Sequence, residues 1–141
     1  KDSRLGTYGT AALVMALMTE VAAVSQLGPR EGFAALVVAH TLGRAMALAA
    51  MLLAPPAGDG MGASYMARLS PLAVTCGFFV GVATTVVLSP IFPLATIGAA
   101  TVATVGVVAL SIRKIGGING DVLGAIHVLA SLATLIVTSA G

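Results

Sequence analysis

The sequence predicts an all-α membrane protein, a bundle of about five transmembrane helices. Three observations carry this: the ratio of apolar to charged residues, five apolar stretches of bilayer-crossing length, and glycine or proline breaks between them. Hydrophobic residues fill 58% of the 141 positions and charged residues 9%, with a mean hydropathy of +1.06. Too few polar side chains remain to cover a water-facing surface, which excludes a soluble domain. Seven Lys and Arg against five acids give a net charge of +2, too sparse and scattered for a nucleic-acid footprint. The single cysteine, Cys76, lies in an apolar run, so no disulfide framework exists and the residue reads as a small hydrophobe. No signal-peptide pattern opens the chain, which begins at Lys1.

The apolar stretches cover residues 6–27, 32–54, 71–88, 91–112 and 122–140 of a single transmembrane domain. Each approaches the roughly 20 residues that cross about 30 Å of hydrocarbon at 1.5 Å per residue. None alternates as a barrel strand does, so each is read as a helix with its backbone satisfied internally. The first ends at Gly28-Pro29. The second ends at Pro55-Pro56, followed by Gly58-Asp59-Gly60. The third and fourth are parted by Ser89-Pro90 and Pro93, the weakest of the breaks, which leaves a re-entrant pair open. The fifth is set off by Gly116-Gly117 and Gly120.

Five alternating spans place Lys1, Arg4, Arg68, Arg113 and Lys114 on one side and Arg30 on the other. Short loops rich in Lys and Arg stay cytoplasmic, so the N-terminus and the polar, glycine-rich loops are expected on the cytoplasmic face.

Ionisable residues inside spans are costly unless paired and are candidates for function. Glu20 lies at a depth similar to His40 of the returning second span, with Arg44 one turn nearer the cytoplasm, so a Glu20 contact to His40 or Arg44 is geometrically sensible. A polar clamp between helices is the plainer reading for Glu20 and His40. Arg44 has a guanidinium suited to phosphate as well as carboxylate. His127 stands alone in the last span, where a helix-packing hydrogen bond is the plainer reading.

Two segments carry more chemistry. Residues 1–9, KDSRLGTYG, combine an acid, two bases and hydroxyls at the mouth of a helix. Asp2 could hold a phosphate-bound magnesium ion, or Asp2 or Ser3 could simply cap the helix. Residues 113–125, RKIGGINGDVLGA, place two cations before glycines and a helix N-terminus. Gly116, Gly117, Asn119 and Gly120 could cradle an anion with Lys114, leaving Asp121 as metal ligand or base. The alternative is structural: Asp121 as N-cap, Gly120 and Gly124 as a packing pair, and a tight turn before them.

These two segments, in this order and separated by apolar spans, resemble the cobalamin synthase family, the adenosylcobinamide-GDP ribazoletransferases. Lys1 to Gly9 and Gly116 to Ala125 carry the resemblance, Gly43-Arg44 resembles a Ser-Arg step of the family, and the Asp59-Gly60-Met61-Gly62 loop sits where the family has a glycine-containing loop. Asn119 departs from the family's common Thr. The resemblance places an acidic segment like D-x-x-D-G ahead of the KDSR segment, so the upstream part of the family domain is expected to be absent from this chain, and whether these residues act alone stays open.

The resemblance implies a transferase of cobalamin (vitamin B12) biosynthesis in a bacterial or archaeal cytoplasmic (inner) membrane. The expected reaction joins adenosylcobinamide-GDP to α-ribazole or its 5′-phosphate and releases GMP, with Mg2+ as cofactor. It implies Asp2, Asp121 and Arg44 as catalytic residues, Asp2 and Asp121 as metal ligands, and Lys1, Arg4, Lys114, Gly116, Gly117, Asn119 and Gly120 around substrate phosphate, with Ser3 as a support. The lipid bilayer is an expected partner, nucleic acid is not, and a homo-oligomer is compatible with the sequence. The rival reading is a small transporter or channel subunit with a path through Glu20, His40 and Arg44, although the last three spans carry few polar groups to continue it. A third is a structural helper packing through Gly77 and Gly81, a GxxxG pattern.

Overall fold

A computed structural model of the protein describes residues 6–58, 66, 70–88 and 93–141. Five helices account for most of them: α1 (Thr7–Ser25), α2 (Pro29–Leu53), α3 (Pro71–Leu88), α4 (Pro93–Ile115) and α5 (Gly120–Ser139). All five are long and apolar enough to cross a membrane. The chain is therefore an all-α, multi-pass membrane protein. α3 and α4 each have spanning length, 18 and 23 residues, so a re-entrant pair is not needed to account for them. The break at Ser89-Pro90 lies outside the described residues.

Local chemistry explains where the helices start and stop. α2 begins at Pro29, earlier than the apolar pattern suggests, because proline is preorganised for the first helical position and Glu31 suits the positive end of the helix dipole. α4 continues through Arg113 and Lys114, cations that suit its C-terminal end, and stops at Gly116, whose φ of +78° is a left-handed conformation open to glycine. Asn119 caps α5, its side chain accepting a hydrogen bond from the backbone N–H of Val122 at 3.0 Å. The capping role that the structural alternative gives to Asp121 thus falls to Asn119. Gly6 occupies the N-cap position of α1 with no side-chain cap. Asp2 and Ser3, the caps considered from sequence, lie outside the described residues.

α2 is the centre of the bundle. Leu42, Met46, Ala50 and Ala54 recur every fourth residue along it and form the main core with Ala100 of α4, Ile126 and Ala130 of α5, and Ile118. α5 packs antiparallel on α2, Ser131 Oγ donating to the Ala39 carbonyl at 3.0 Å. A side chain at Gly43 would collide with Ser131 and His127, so glycine sets that crossing distance. On the other side, Gly81 of α3 lies against Ala45, and Gly77 faces Leu48, so the GxxxG pattern is spent inside this chain. Gly120 and Gly124, read as a packing pair, have no neighbour within contact of the places their Cβ atoms would take.

α1 differs from the rest. Ala23 is its one buried residue, packed with Ala35 and Ala39 of α2 and Leu135 of α5. Large side chains including Met15, Met18 and Val21 are exposed along it, as for a helix facing lipid.

Candidate functional site

The loop between α4 and α5 is built by pairing with the loop that follows α2. Ile118 N–H donates to the Pro55 carbonyl and Ala57 N–H to the Ile118 carbonyl, each at 2.8 Å, forming a short parallel bridge. The approach is so close that a Cβ on Gly117 would collide with the Pro55 carbonyl. The close backbone contact that a glycine there permits is therefore made with the protein's own chain. Gly117 and Ile118 are buried, whereas Gly116, Gly120, Asp121, Arg113 and Lys114 are exposed.

The loop accordingly divides in two. Gly117 and Ile118 are held against residues 55–57, and Gly116 turns the chain before them with its positive φ. Gly120 and Asp121 open α5, with Asn119 holding the cap, so the Asp121 carboxylate is spared that duty and stands exposed in the first helical turn, where the helix dipole favours negative charge. Arg113 and Lys114 stand in the last turn of α4 just before this loop. Both loops contribute to one face of the bundle. Lys1, Asp2 and Arg4 lie outside the described residues.

A second polar group lies at bilayer depth. His40 Nε2 is 3.0 Å from Glu20 Oε1, a hydrogen bond between α2 and α1. The rings of His40 and His127 are 5.5 Å apart and tilted by 33°, bringing in α5. His127 Nδ1 is buried without a hydrogen-bond partner among the described residues, so the packing hydrogen bond expected of His127 is not made through that atom. Glu20, His40, His127 and Ser131 line a small cavity of about 70 Å³ whose other walls are apolar.

Of the two contacts open to Glu20, the structure makes the one to His40. Arg44 instead faces an open groove between α2 and α3 together with Val37, His40, Thr41, Leu48 and Gly77. It is exposed, nine residues before the end of α2 or about 14 Å below that face. Asp121 does not line this groove. No group of three or more His, Cys, Asp or Glu among the described residues is arranged to hold a metal ion.

Sequence reasoning missed the part played by Ile118 and residues 55–57, which carry no ionisable group and so gave no signal. It also missed the His40–His127 contact. That one is traceable in retrospect, because the antiparallel register pairing Ala39 with Ser131 also sets Gly43 beside His127.

This arrangement defines a polytopic helical membrane protein with an exposed carboxylate and two cations about one inter-helix loop, above a Glu–His–His cluster at bilayer depth. The chain belongs to the cobalamin-5-phosphate synthase family, whose model matches residues 1–139. It is 33% identical to the adenosylcobinamide-GDP ribazoletransferase of Azorhizobium caulinodans, covering 96% of this chain and 54% of that protein. Identity to the protein of that name from Bradyrhizobium diazoefficiens is 36%, covering 99% and 55% respectively. For that of Xanthobacter autotrophicus it is 37%, covering 96% and 55%. The chain thus spans about half the length of the curated relatives it matches. No solved structure matches it.

Proposed function

We propose that the chain forms part of an adenosylcobinamide-GDP ribazoletransferase acting in the last steps of cobalamin biosynthesis. A hydroxyl oxygen of α-ribazole, or of its 5′-phosphate, forms a bond to the cobinamide-bearing phosphorus of adenosylcobinamide-GDP. The bond from that phosphorus to the bridging oxygen breaks, GMP leaves with that oxygen, and the hydroxyl proton is released. The observation that carries this reading is the family match over residues 1–139, with an exposed, uncapped carboxylate at the loop that bears the more distinctive of the two motifs.

Phosphoryl transfer is mostly positioning and charge stabilisation, so it needs cations near the phosphates and a carboxylate for metal or proton. Lys114, with Lys1 and Arg4 of the preceding motif, supplies charge for the pyrophosphate. The opening N–H groups of α5 at Gly120 and Asp121 add the positive end of a helix dipole. Gly116 shapes the turn, Gly117 holds it against Pro55, and Asn119 fixes the first turn of α5 and hence the direction of Asp121. Arg44 lies deeper, in the groove beside α3, and is assigned to a part of the substrate that reaches below the loop face.

The donor chemistry fits magnesium, which takes one or two carboxylates and completes its shell with water and substrate phosphate. Asp121 and Asp2 would hold it, and when bound it neutralises developing phosphate charge. By the distribution of Lys and Arg, the loop face is cytoplasmic, and membership of the family supports a bacterial or archaeal inner membrane.

The test is complementation. In a bacterium lacking its own ribazoletransferase, the chain is expressed alone and as a chimera in which it replaces the matching stretch of the Bradyrhizobium diazoefficiens relative. Growth dependent on cobalamin, restored by the chimera and not by its Asp121→Ala form, is the expected result. A chimera that is inserted and stable yet never restores growth would refute the assignment.

A further inference from the structure

Glu20, His40 and His127 take no part in the loop chemistry, yet they join three helices at one depth. α1 is otherwise weakly held: residues 7–15 are exposed throughout, and its packing rests on Ala23 near the far end. Among the described residues, the Glu20–His40 bond is the side-chain hydrogen bond that ties α1 to another helix. The His40 ring rests on His127 of α5, and Ser131 one turn further on anchors α5 to the α2 backbone.

The two helices tied in this way are the two that carry the motifs. Glu20 lies thirteen residues, about 20 Å, from the start of α1, which follows the KDSR segment directly. His127 lies six residues, about 9 Å, beyond Asp121 on α5. A slip of α1 by one residue would shift its motif end by about 1.5 Å and rotate it by about 100°. An apolar helix against lipid and apolar neighbours has little else to resist such a slip, because greasy contacts are interchangeable.

We propose that Glu20 and His40, backed by His127, are positioning residues that fix the height and rotation of α1 against α2 and α5, and so set where the Thr7 end of α1 stands relative to Asp121. The catalytic consequence rests on the ribazoletransferase reading; the structural one does not. Glu20 is satisfied by His40 rather than by Arg44, which leaves Arg44 free for its groove.

The experiment separates the two. Spin labels are placed at exposed Thr10→Cys on α1 and Ile115→Cys at the end of α4, in a Cys76→Ala background, and their distance distribution is measured on the chain in lipid nanodiscs. A narrow distribution is expected, retained in Glu20→Gln, which can still accept from His40, and broadened or displaced in Glu20→Leu and His40→Leu. In the chimera, Glu20→Leu is expected to lower kcat between about ten- and a hundredfold, the scale of an ångström-level misplacement, with little change in KM. Glu20→Gln should restore turnover. An unchanged distance distribution in Glu20→Leu overturns the proposal, and so does full turnover in a Glu20→Leu chimera whose α1 has demonstrably moved. If the unsubstituted chimera has no activity, the ribazoletransferase reading fails, while the distance measurement still decides whether the pair positions α1.

Discussion

α1 and α2 follow one another in the chain and both have spanning hydropathy, 1.4 and 1.7, yet they occupy opposite positions in the bundle. α2 buries Ala35, Val38, Ala39, Leu42, Gly43, Ala45, Met46 and Ala50, whereas α1 buries Ala23. The difference lies in which residues recur on one face. A repeat of alanine and glycine with Leu42 and Met46 lets α3 and α5 approach α2 closely, and dispersion then accumulates over tight contacts. α1 carries bulkier Leu, Met and Val that stay exposed, and what ties it in among the described residues is the packing about Ala23 and the Glu20–His40 bond. α3, α4 and α5 have higher hydropathy than α2, 2.0, 1.9 and 2.0, yet each buries less of itself, so a membrane helix is central because its surface admits close neighbours, not because it is more hydrophobic. The same contrast recurs in the α4–α5 loop, where Gly117 is locked under Pro55 while Gly120 and Asp121, three and four residues on, stand open.

Substitutions can break or sharpen this contrast. The largest effect is expected at the open half of the loop. Asp121→Ala in the chimera should lower kcat by on the order of 10²–10³-fold, the scale of removing a group that stabilises transition-state charge, with the thermal unfolding midpoint unchanged. Retained turnover would return Asp121 to an ordinary surface residue. Next comes the closed centre: Gly43→Val should destabilise the bundle by about 1–3 kcal/mol through overpacking against Ser131 and His127, read as a lowered unfolding midpoint in detergent. A variant as stable as the parent would show that the α2–α5 crossing is looser than described. Asn119→Ala should cost about 1 kcal/mol through loss of the α5 cap, measured in the same way. Asn119→Ser should recover much of it. Smallest of all, Met18→Ala on the lipid-facing side of α1 should change stability by less than about 0.5 kcal/mol. A cost like that of a core truncation would place a protein neighbour over that face.

The five helices were legible because hydrocarbon thickness fixes their length and breakers mark their ends. Their termini were less so. Hydropathy excludes Arg30, Glu31, Arg113 and Lys114 from a span, although the helices run on through such residues where they reach the interface and the dipole favours their charges. Counting residues placed Glu20 level with His40, and the structure joins them. It could not choose between His40 and Arg44, because at i and i+4 the two share one side of a helix by spacing alone. The chemical reading of the GGxxGD loop was half legible. Asp121 is exposed in the first turn of α5, while the need for Gly117 comes from Pro55, sixty-two residues away in sequence and adjacent only once α2 and α5 have packed.

The most direct test of the central claim, that this chain carries phosphoryl-transfer chemistry on its loop face, is an assay of the purified chimera with adenosylcobinamide-GDP, α-ribazole and magnesium, following GMP and the corrinoid product together. The account predicts equal amounts of GMP and α-ribazole-bearing corrinoid, lost on removal of magnesium and in Asp121→Ala. A folded chimera that releases no GMP, or one whose Asp121→Ala form releases it as fast as the parent, would contradict it.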